Sequence, residues 1–322
     1  MKHLRLPLIA AALFTCAPAS HGILSFSFTY LDQNQGFNDP QLGQQRRSAF
    51  ENAALTLGSF FVNTAVLTFS VNGSEQNDDV LAAAGSGMNI GAAGFFNTFA
   101  QGKAISNGLT DGNGNAADGD VTWNFQDHAW DYDDTIDPNQ FDFKSTVIHE
   151  LIHALGFSSN IDSSGRGLEE KASGQPDVFS TFDRFLTNQA QQNLVNLNTF
   201  AFDTSKQSTL TSGGTNNPAQ GVHFSGANAR AANGGAPVPI FSPTPYENGS
   251  SGSHLSDTFY NTTDLLMEAA TLPGQGPRSL SAIEIGILKD LGYTMVPEPG
   301  SLVLLGFASA TILGLRRSRR SA

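Results

Sequence analysis

FDFKSTVIHELIHALGF, residues 141–157, carries the strongest helical pattern of the chain. Its apolar side chains recur three and four residues apart and form one stripe, made of Phe143, Val147, Ile148, Leu151, Ile152 and Leu155. Gly156 follows where such a helix ends, since glycine readily adopts the left-handed conformation of a helix C-terminus. The segment therefore predicts an amphipathic helix packed against a core.

This helix contains the pattern H-E-x-x-H, with His149, Glu150 and His153 at its fixed positions. Residues four apart lie on the same helix face, so both imidazoles can reach one metal ion. Glu150 would then meet a metal-bound water as a general base, because zinc lowers the pKa of such a water to about 7. A solvated helix face is the alternative, but it would need polar neighbours, whereas the flanking residues are apolar.

A catalytic zinc site needs three protein ligands and one open position. Cys16 is the only cysteine and precedes the predicted mature chain, so the third ligand must be a histidine or a carboxylate. Ser159 stands where the compact metzincin pattern, H-E-x-x-H-x-x-G-x-x-H, has its third histidine. The spacing leaves His128, His223, His254 and the pair Glu169 and Glu170 as candidates.

Residues 146–158, TVIHELIHALGFS, resemble the active-site segment of leishmanolysin-type metzincins. The resemblance continues with Ser253-His254-Leu255, Leu265-Leu266-Met267 and the closing stretch 278–293, although that family is rich in disulfides and this chain is not. It implies an α+β metzincin-like fold with a mixed twisted sheet, an active-site helix and a C-terminal helical subdomain. It also implies that His254 is the third zinc ligand and that Met267 forms a Met-turn under the metal.

Both ends of the chain carry patterns that are typical of targeting signals. Residues 1–20 combine Lys2 and Arg5, an apolar run and Ala17-Pro18-Ala19, which is typical of a cleaved secretory signal peptide. Residues 296–322 combine Val296-Pro297-Glu298-Pro299, a fifteen-residue apolar run and an arginine cluster. This order resembles the PEP-CTERM sorting signal of Gram-negative bacteria. It implies transient anchoring in the inner membrane, processing by an exosortase-type enzyme, and delivery to the cell surface, the extracellular matrix or the medium.

Between these ends we expect one α+β zinc metallopeptidase domain, residues 21–295. Alternating patterns predict strands over 23–30, 65–71 and 120–125, and helical patterns predict helices over 42–61 and 279–291. A stretch rich in Gly, Ala and Asn (83–119) predicts irregular structure, and residues 158–253 predict a loop-rich region with an amphipathic piece over 178–186.

The net charge of the domain between the two ends indicates which binding partners are disfavoured. Removal of both ends takes away six basic residues and Glu298, which leaves 11 basic and 28 acidic residues and a net charge near −17. A strongly acidic domain is a poor partner for nucleic acid or for an anionic membrane surface, so we expect membrane contact only through the C-terminal segment before processing. The acidic loop Asp111 to Asp120 could hold a structural calcium ion, although it lacks the sixth-position Gly and the terminal Glu of a complete EF-hand loop.

Together these patterns predict an exported zinc endopeptidase that hydrolyses protein or peptide substrates. The alternative is a catalytically inactive matrix or adhesion protein that keeps the same fold and binds the metal. The intact Glu150 favours the enzyme, because the base serves only the reaction.

Overall fold

The computed structural model describes residues 23–73, 79–89, 92–167, 177–213, 218–257 and 265–297. The predicted signal peptide and nearly all of the predicted sorting segment lie outside these ranges, as do Glu169 and Glu170. No described helix is both long enough and apolar enough to cross a bilayer.

The fold is built on a mixed four-stranded sheet with the order β1-β2-β5-β3. The first three of these strands are mutually parallel, and β3 pairs antiparallel with β5 at one edge. The α+β class and the three predicted strands are confirmed, with the bounds β1 Ser25–Tyr30, β2 Val66–Asn72, β3 Ala82–Gly85 and β5 Gly119–Trp123.

Two predicted helices pack on this sheet and on each other: α1, Gly43–Gly58, and α3, Phe143–Ala154. Aromatic rings fill the space between them. The fully buried Trp123 of β5 lies 4.5 Å from the ring of Phe143, and Phe50 of α1 meets Phe28 of β1 edge-on at 4.8 Å. The first residue of α3 is therefore anchored in the largest aromatic cluster of the described core.

The prediction of irregular structure over 83–119 is wrong, because β3, β4 (Gly94–Phe96) and α2 (Phe99–Ile105) lie in or overlap this stretch. These elements are short, and tertiary contacts define them. Strand β3 pairs with β5, β4 pairs with a distant strand at 178–180, and Thr98 caps α2 by accepting a hydrogen bond from the Gln101 N–H at 3.1 Å. Such contacts do not show in the local spacing of apolar and polar residues.

The loop-rich prediction for 158–253 is confirmed in its described parts, which hold only short elements. The amphipathic piece over 178–186 resolves into a short strand, a single 3-10 turn at Asp183–Phe185 and the start of the next strand. The named elements of this half are β8 Val178–Ser180, β9 Leu186–Thr187, β10 His223–Phe224, α4 Ala227–Ala232 and β11 Val238–Pro239. Two further two-residue strands precede α3, β6 Trp130–Asp131 and β7 Phe141–Asp142.

The predicted closing helix is confirmed as α5, Ala282–Asp290, and it packs closely on α4. A Cβ atom added to Gly286 would lie 2.7 Å from the Ala229 Cα, so the two helix backbones approach as only glycine allows. Asp290 completes the contact, because its carboxylate accepts the backbone N–H groups of Asn228 and Ala229 at 3.0 and 2.9 Å. One helix thus caps the other.

We expect Gly286→Ala to lower the free energy of unfolding by about 1–3 kcal/mol, the usual cost of overpacking. Helix propensity alone would favour alanine by about 1 kcal/mol. Gly102→Ala in α2 is the matched control, since a Cβ there meets nothing closer than 3.9 Å. Urea unfolding of both variants measures the difference; equal stabilisation of both would contradict the close approach of α4 and α5.

Candidate metal centre

Helix α3 has a defined capping interaction at each end. At its start, the Asp142 carboxylate accepts the Ser145 N–H at 3.0 Å and caps the helix. At its end, Gly156 adopts a positive φ of 95°. The Gly156 N–H then donates to the His153 carbonyl at 2.9 Å, and the Phe157 N–H donates to the Ile152 carbonyl at 3.3 Å. This is the hydrogen-bond pattern of a Schellman motif, and the helix ends at Ala154, one residue after His153.

The structure brings His149, His153 and His254 together. Their Nε2 atoms form a triangle with sides of 3.0, 3.0 and 3.2 Å. Three nitrogen ligands around a tetrahedral zinc ion at 2.0–2.1 Å lie about 3.3–3.4 Å apart, so the donor set is close to that size. Within the described ranges, this is the one group of at least three His, Cys, Asp or Glu residues that could hold a metal ion.

Backbone carbonyls decide which ring nitrogen of each histidine carries the proton. The Nδ1 atoms lie within hydrogen-bond distance of three carbonyl oxygens, at 2.6, 2.8 and 2.9 Å: His149 with Leu266, His153 with Phe157, and His254 with Ser250. A carbonyl only accepts, so each Nδ1 donates, and in a neutral ring each Nε2 then presents a lone pair. Three lone pairs point at one another, which is unfavourable unless a cation lies between them.

The surroundings favour neutral imidazoles. Burial lowers the pKa of all three rings, and the neighbouring rings add to this effect at His153 and His254, so that the pKa of His254 falls to about 3. Metal binding requires the unprotonated ring. The three side chains are therefore held in the protonation state that binds a metal at neutral pH.

His254 comes from a distant loop, and backbone contacts fix its position. The N–H of Leu255 donates to the carbonyl of Met267 at 2.7 Å, and the carbonyl of His254 accepts the Phe241 N–H at 2.8 Å. The Ser253 hydroxyl accepts the Ser159 N–H at 3.0 Å, so the chain leaving α3 also holds this loop. Leu255 and Met267 are fully buried. The loop is thus tied both to α3 and to the core.

Glu150 lies in the same cleft but outside the histidine cluster. It is 7% exposed, and burial raises the pKa of its carboxyl to about 8, against a hydrogen bond from the Ala84 backbone that lowers it. A nearby divalent cation would favour the ionised form and lower this pKa. The contact with Ala84 places Glu150 against the edge strand β3.

The cleft has a volume of about 730 Å³. Its lining includes β3 with the residues before it, and also the segments around Asn248 and Ala270. His128 also lines the cleft, with its Nε2 buried and its ring edge-on to Phe141 at 5.6 Å. The histidine cluster therefore faces a space large enough for several residues of a peptide.

The other candidate ligands do not join the cluster where the structure describes them. His128 lies in the cleft wall, and His223 is buried in β10, where its Nδ1 lies 3.0 Å from the Gly221 carbonyl. Glu169 and Glu170 lie outside the described residues, so the structure does not place them.

A lysine of helix α2 lies beside the candidate calcium loop. The Lys103 ammonium lies 3.0 Å from an Asp111 oxygen and 3.1 Å from an oxygen of the fully buried Asp118. These two carboxylates therefore already have a positive charge beside them. Calcium binding by the loop stays a prediction.

Sequence reasoning missed a buried carboxylate that supports the centre. Glu284 of α5 is fully buried; its Oε1 accepts the Met267 N–H at 2.8 Å and its Oε2 accepts the Ser281 N–H at 2.6 Å. It thereby holds the turn whose Leu266 carbonyl orients His149. The capping box Ser281–Glu284 was visible in the sequence, but its contact with Met267 spans two separate segments.

A family model for the PEP-CTERM protein-sorting motif matches residues 296–320. Such signals mark proteins that are exported and sorted to the cell surface, and they imply recognition by an exosortase-type enzyme. A comparison with curated proteins gives no match to this chain.

We expect His254→Ala to weaken zinc binding by more than about 100-fold, because losing a direct ligand exceeds the ~10–100-fold cost of losing an outer partner. His223→Ala and His128→Ala should retain wild-type affinity, as should a double variant with Gln at positions 169 and 170. Competition with a chromophoric chelator measures all four proteins. Wild-type affinity in His254→Ala, with loss in the double variant, would rule out the three-histidine site.

We expect Glu284→Gln to lower the free energy of unfolding by about 2 kcal/mol, since a buried charged acceptor of backbone N–H groups is lost. It should also weaken zinc binding by about tenfold, as the orientation of His149 loosens. Glu51→Gln, on the exposed face of α1, is the control. Zinc affinity is measured at a temperature well below the midpoint of thermal unfolding. An unchanged zinc affinity in Glu284→Gln would limit Glu284 to a structural role.

Proposed function

We propose that this protein is an exported zinc-dependent endopeptidase. The observation that carries the proposal is the convergence of three Nε2 lone pairs, from His149, His153 and His254, in a cleft that also contains Glu150. Three neutral imidazoles form a ligand set that suits zinc and leaves a position open for catalysis. The resemblance to leishmanolysin-type metzincins supports the same assignment.

Zinc bound in such a site would polarise the substrate carbonyl and lower the pKa of a coordinated water. Glu150 is proposed as the general base: its carboxylate takes a proton during attack on the peptide carbon and returns it to the leaving amine. Its burial supports this role, because a desolvated carboxyl has a raised pKa and so a higher affinity for the proton. The hydrogen bond from the Ala84 backbone holds the carboxylate beside β3 in the cleft lining.

The shape of the cleft suits an extended peptide. Strand β3 is the outer strand of the sheet and contributes Ala82, Ala83 and Ala84 to the cleft wall. An extended substrate can pair with such an edge through backbone hydrogen bonds, which read chain direction and conformation rather than side chains. The small alanine side chains leave room for this pairing.

Export agrees with this activity. The PEP-CTERM motif at residues 296–320 addresses the protein to the cell surface, and the proposed substrates are proteins or peptides met outside the cytoplasm. Exosortase-type processing would release the catalytic domain from its membrane segment.

We expect Glu150→Gln to bind zinc stoichiometrically while hydrolysis of casein, gelatin or a quenched peptide falls by about 10²–10⁴-fold, the usual contribution of a general base. Zinc content by atomic emission and initial rates are measured on the same samples. Glu51→Gln serves as the control, and chelation followed by zinc addition should abolish and restore wild-type activity.

Loss of zinc from Glu150→Gln would show that Glu150 is a ligand rather than a base. Zinc-loaded wild-type protein that cleaves none of these substrates would favour the alternative, a metal-binding matrix or adhesion protein.

A further inference from the structure

The sorting motif begins on the folded domain itself. The family model matches from residue 296, and the Val296 N–H donates to the Phe60 carbonyl at 2.8 Å. Val296 is partly buried, whereas Pro297, the next residue of the motif, is exposed. The first residue of the motif is therefore held by a backbone hydrogen bond to the domain.

The pairing extends back along the chain by two residues. The Thr294 carbonyl accepts the Val62 N–H at 2.8 Å, and the Thr294 N–H donates to the Asn63 Oδ1 at 2.8 Å. Two buried side chains face each other in an antiparallel bridge, those of Phe61 and Met295. We name this pairing the C-terminal bridge; it consists of residues 60–63 and 294–296.

Just before the C-terminal bridge, the chain is anchored in the core. Tyr293 is 4% exposed, and its hydroxyl donates to the Leu155 carbonyl at 2.7 Å, at the end of α3. The Tyr293 ring also meets the ring of Phe61 edge-on at 5.2 Å. Opening of the bridge would therefore release residues 294–296 and stop at Tyr293.

The C-terminal bridge limits the distance between the domain and the predicted membrane segment, which begins at Ser301. An extended chain advances at most about 3.6 Å per residue. With the bridge closed, the chain from Val296 to Ser301 spans at most about 18 Å; with the bridge open, the chain from Tyr293 spans up to about 29 Å. Opening therefore adds about 11 Å of space for an enzyme that recognises the motif at the membrane.

The C-terminal bridge and a processing enzyme compete for the same backbone groups. Extended peptides are commonly bound through their backbone N–H and carbonyl groups, as an added strand. The Val296 N–H already donates to Phe60, so it is not free to donate to an enzyme. We infer that the bridge withholds the start of the sorting motif, so that an exosortase-type enzyme recognises the motif only after the bridge opens. This inference concerns processing and does not depend on the metal centre.

The test measures processing of the full-length chain in liposomes of phosphatidylethanolamine and phosphatidylglycerol that also contain an exosortase-type enzyme. Gel electrophoresis follows the loss of the C-terminal segment, and every full-length chain carries Glu150→Gln, so that the proposed peptidase activity cannot remove the segment. The enzyme is chosen for its activity on a reference fusion, in which a flexible linker joins residues 296–322 to an unrelated soluble domain. We expect the full-length chain to be processed at least about tenfold more slowly than this fusion, since several hydrogen bonds have to open first.

A variant outside the motif assigns the delay to the C-terminal bridge. Asn63→Ala removes the acceptor of the Thr294 N–H and should speed processing by about fivefold, the factor that corresponds to one lost hydrogen bond. Asn52→Ala, on the exposed face of α1, is the matched control and should keep the original rate. In Asn63→Ala, hydrogen exchange should also be faster at the Val62 and Val296 amides and unchanged in α3.

A disulfide across the C-terminal bridge gives the opposite test. Residues that face each other in an antiparallel pair have Cα atoms about 4.5–5.5 Å apart, a distance that a disulfide can span. Oxidised Val62→Cys/Thr294→Cys should resist processing, and reduction should restore it. Equal rates for the fusion and the full-length chain, or unchanged processing of the oxidised variant, would overturn the inference. If the disulfide does not form, Asn63→Ala decides, and an unchanged rate in that variant would overturn the inference.

Discussion

Three hydrogen bonds from imidazole Nδ1 atoms to backbone carbonyls are the constraint on which the rest of the site depends. Each carbonyl belongs to a different piece of chain, at Phe157, Ser250 and Leu266. Each bond fixes a ring tautomer and aims a lone pair at a common point. Because such convergence is repulsive without a cation, the fold has to hold the three carbonyls in place by other means. Much of the architecture around the cleft serves that end.

Buried carboxylates do most to hold the segments around the three carbonyls in place, because they accept backbone N–H groups from distant parts of the chain. Asp142 joins the start of α3 to Arg278, Asp183 joins the segment after α3 to β8, and Glu284 joins α5 to the Met267 turn. A leishmanolysin-type protein is rich in disulfides, whereas this chain has one cysteine, in its predicted signal peptide. Here buried carboxylates link distant segments. Their cost is desolvation, which raises the pKa of Asp183 to about 6 and also raises that of Glu284.

The sequence predicts elements where local periodicity and capping agree. Helix α3 follows from its apolar stripe and Gly156, and α5 from its helical pattern over 279–291. Strand β3 could not be predicted, because AAAG has little intrinsic preference for strand and forms one only by pairing with β5. His149 and His153 follow from helical spacing, but His254 is set by tertiary contacts, and only the family resemblance pointed to it. The hydrogen bond from the Met267 N–H to Glu284 joins two separate segments, so no local sequence pattern predicts it.

The charge of the chain has local consequences as well as global ones. An excess of acidic residues favours the solubility of a domain, and acidic side chains on the open surface, such as Asp133 and Asp137, are screened by salt. The stretch from Arg230 to Arg278 differs, because some of its described residues line the cleft and it contains no basic residue between its two ends. Carboxylates in such walls are screened less than those on the open surface, so their field acts mainly on whatever enters.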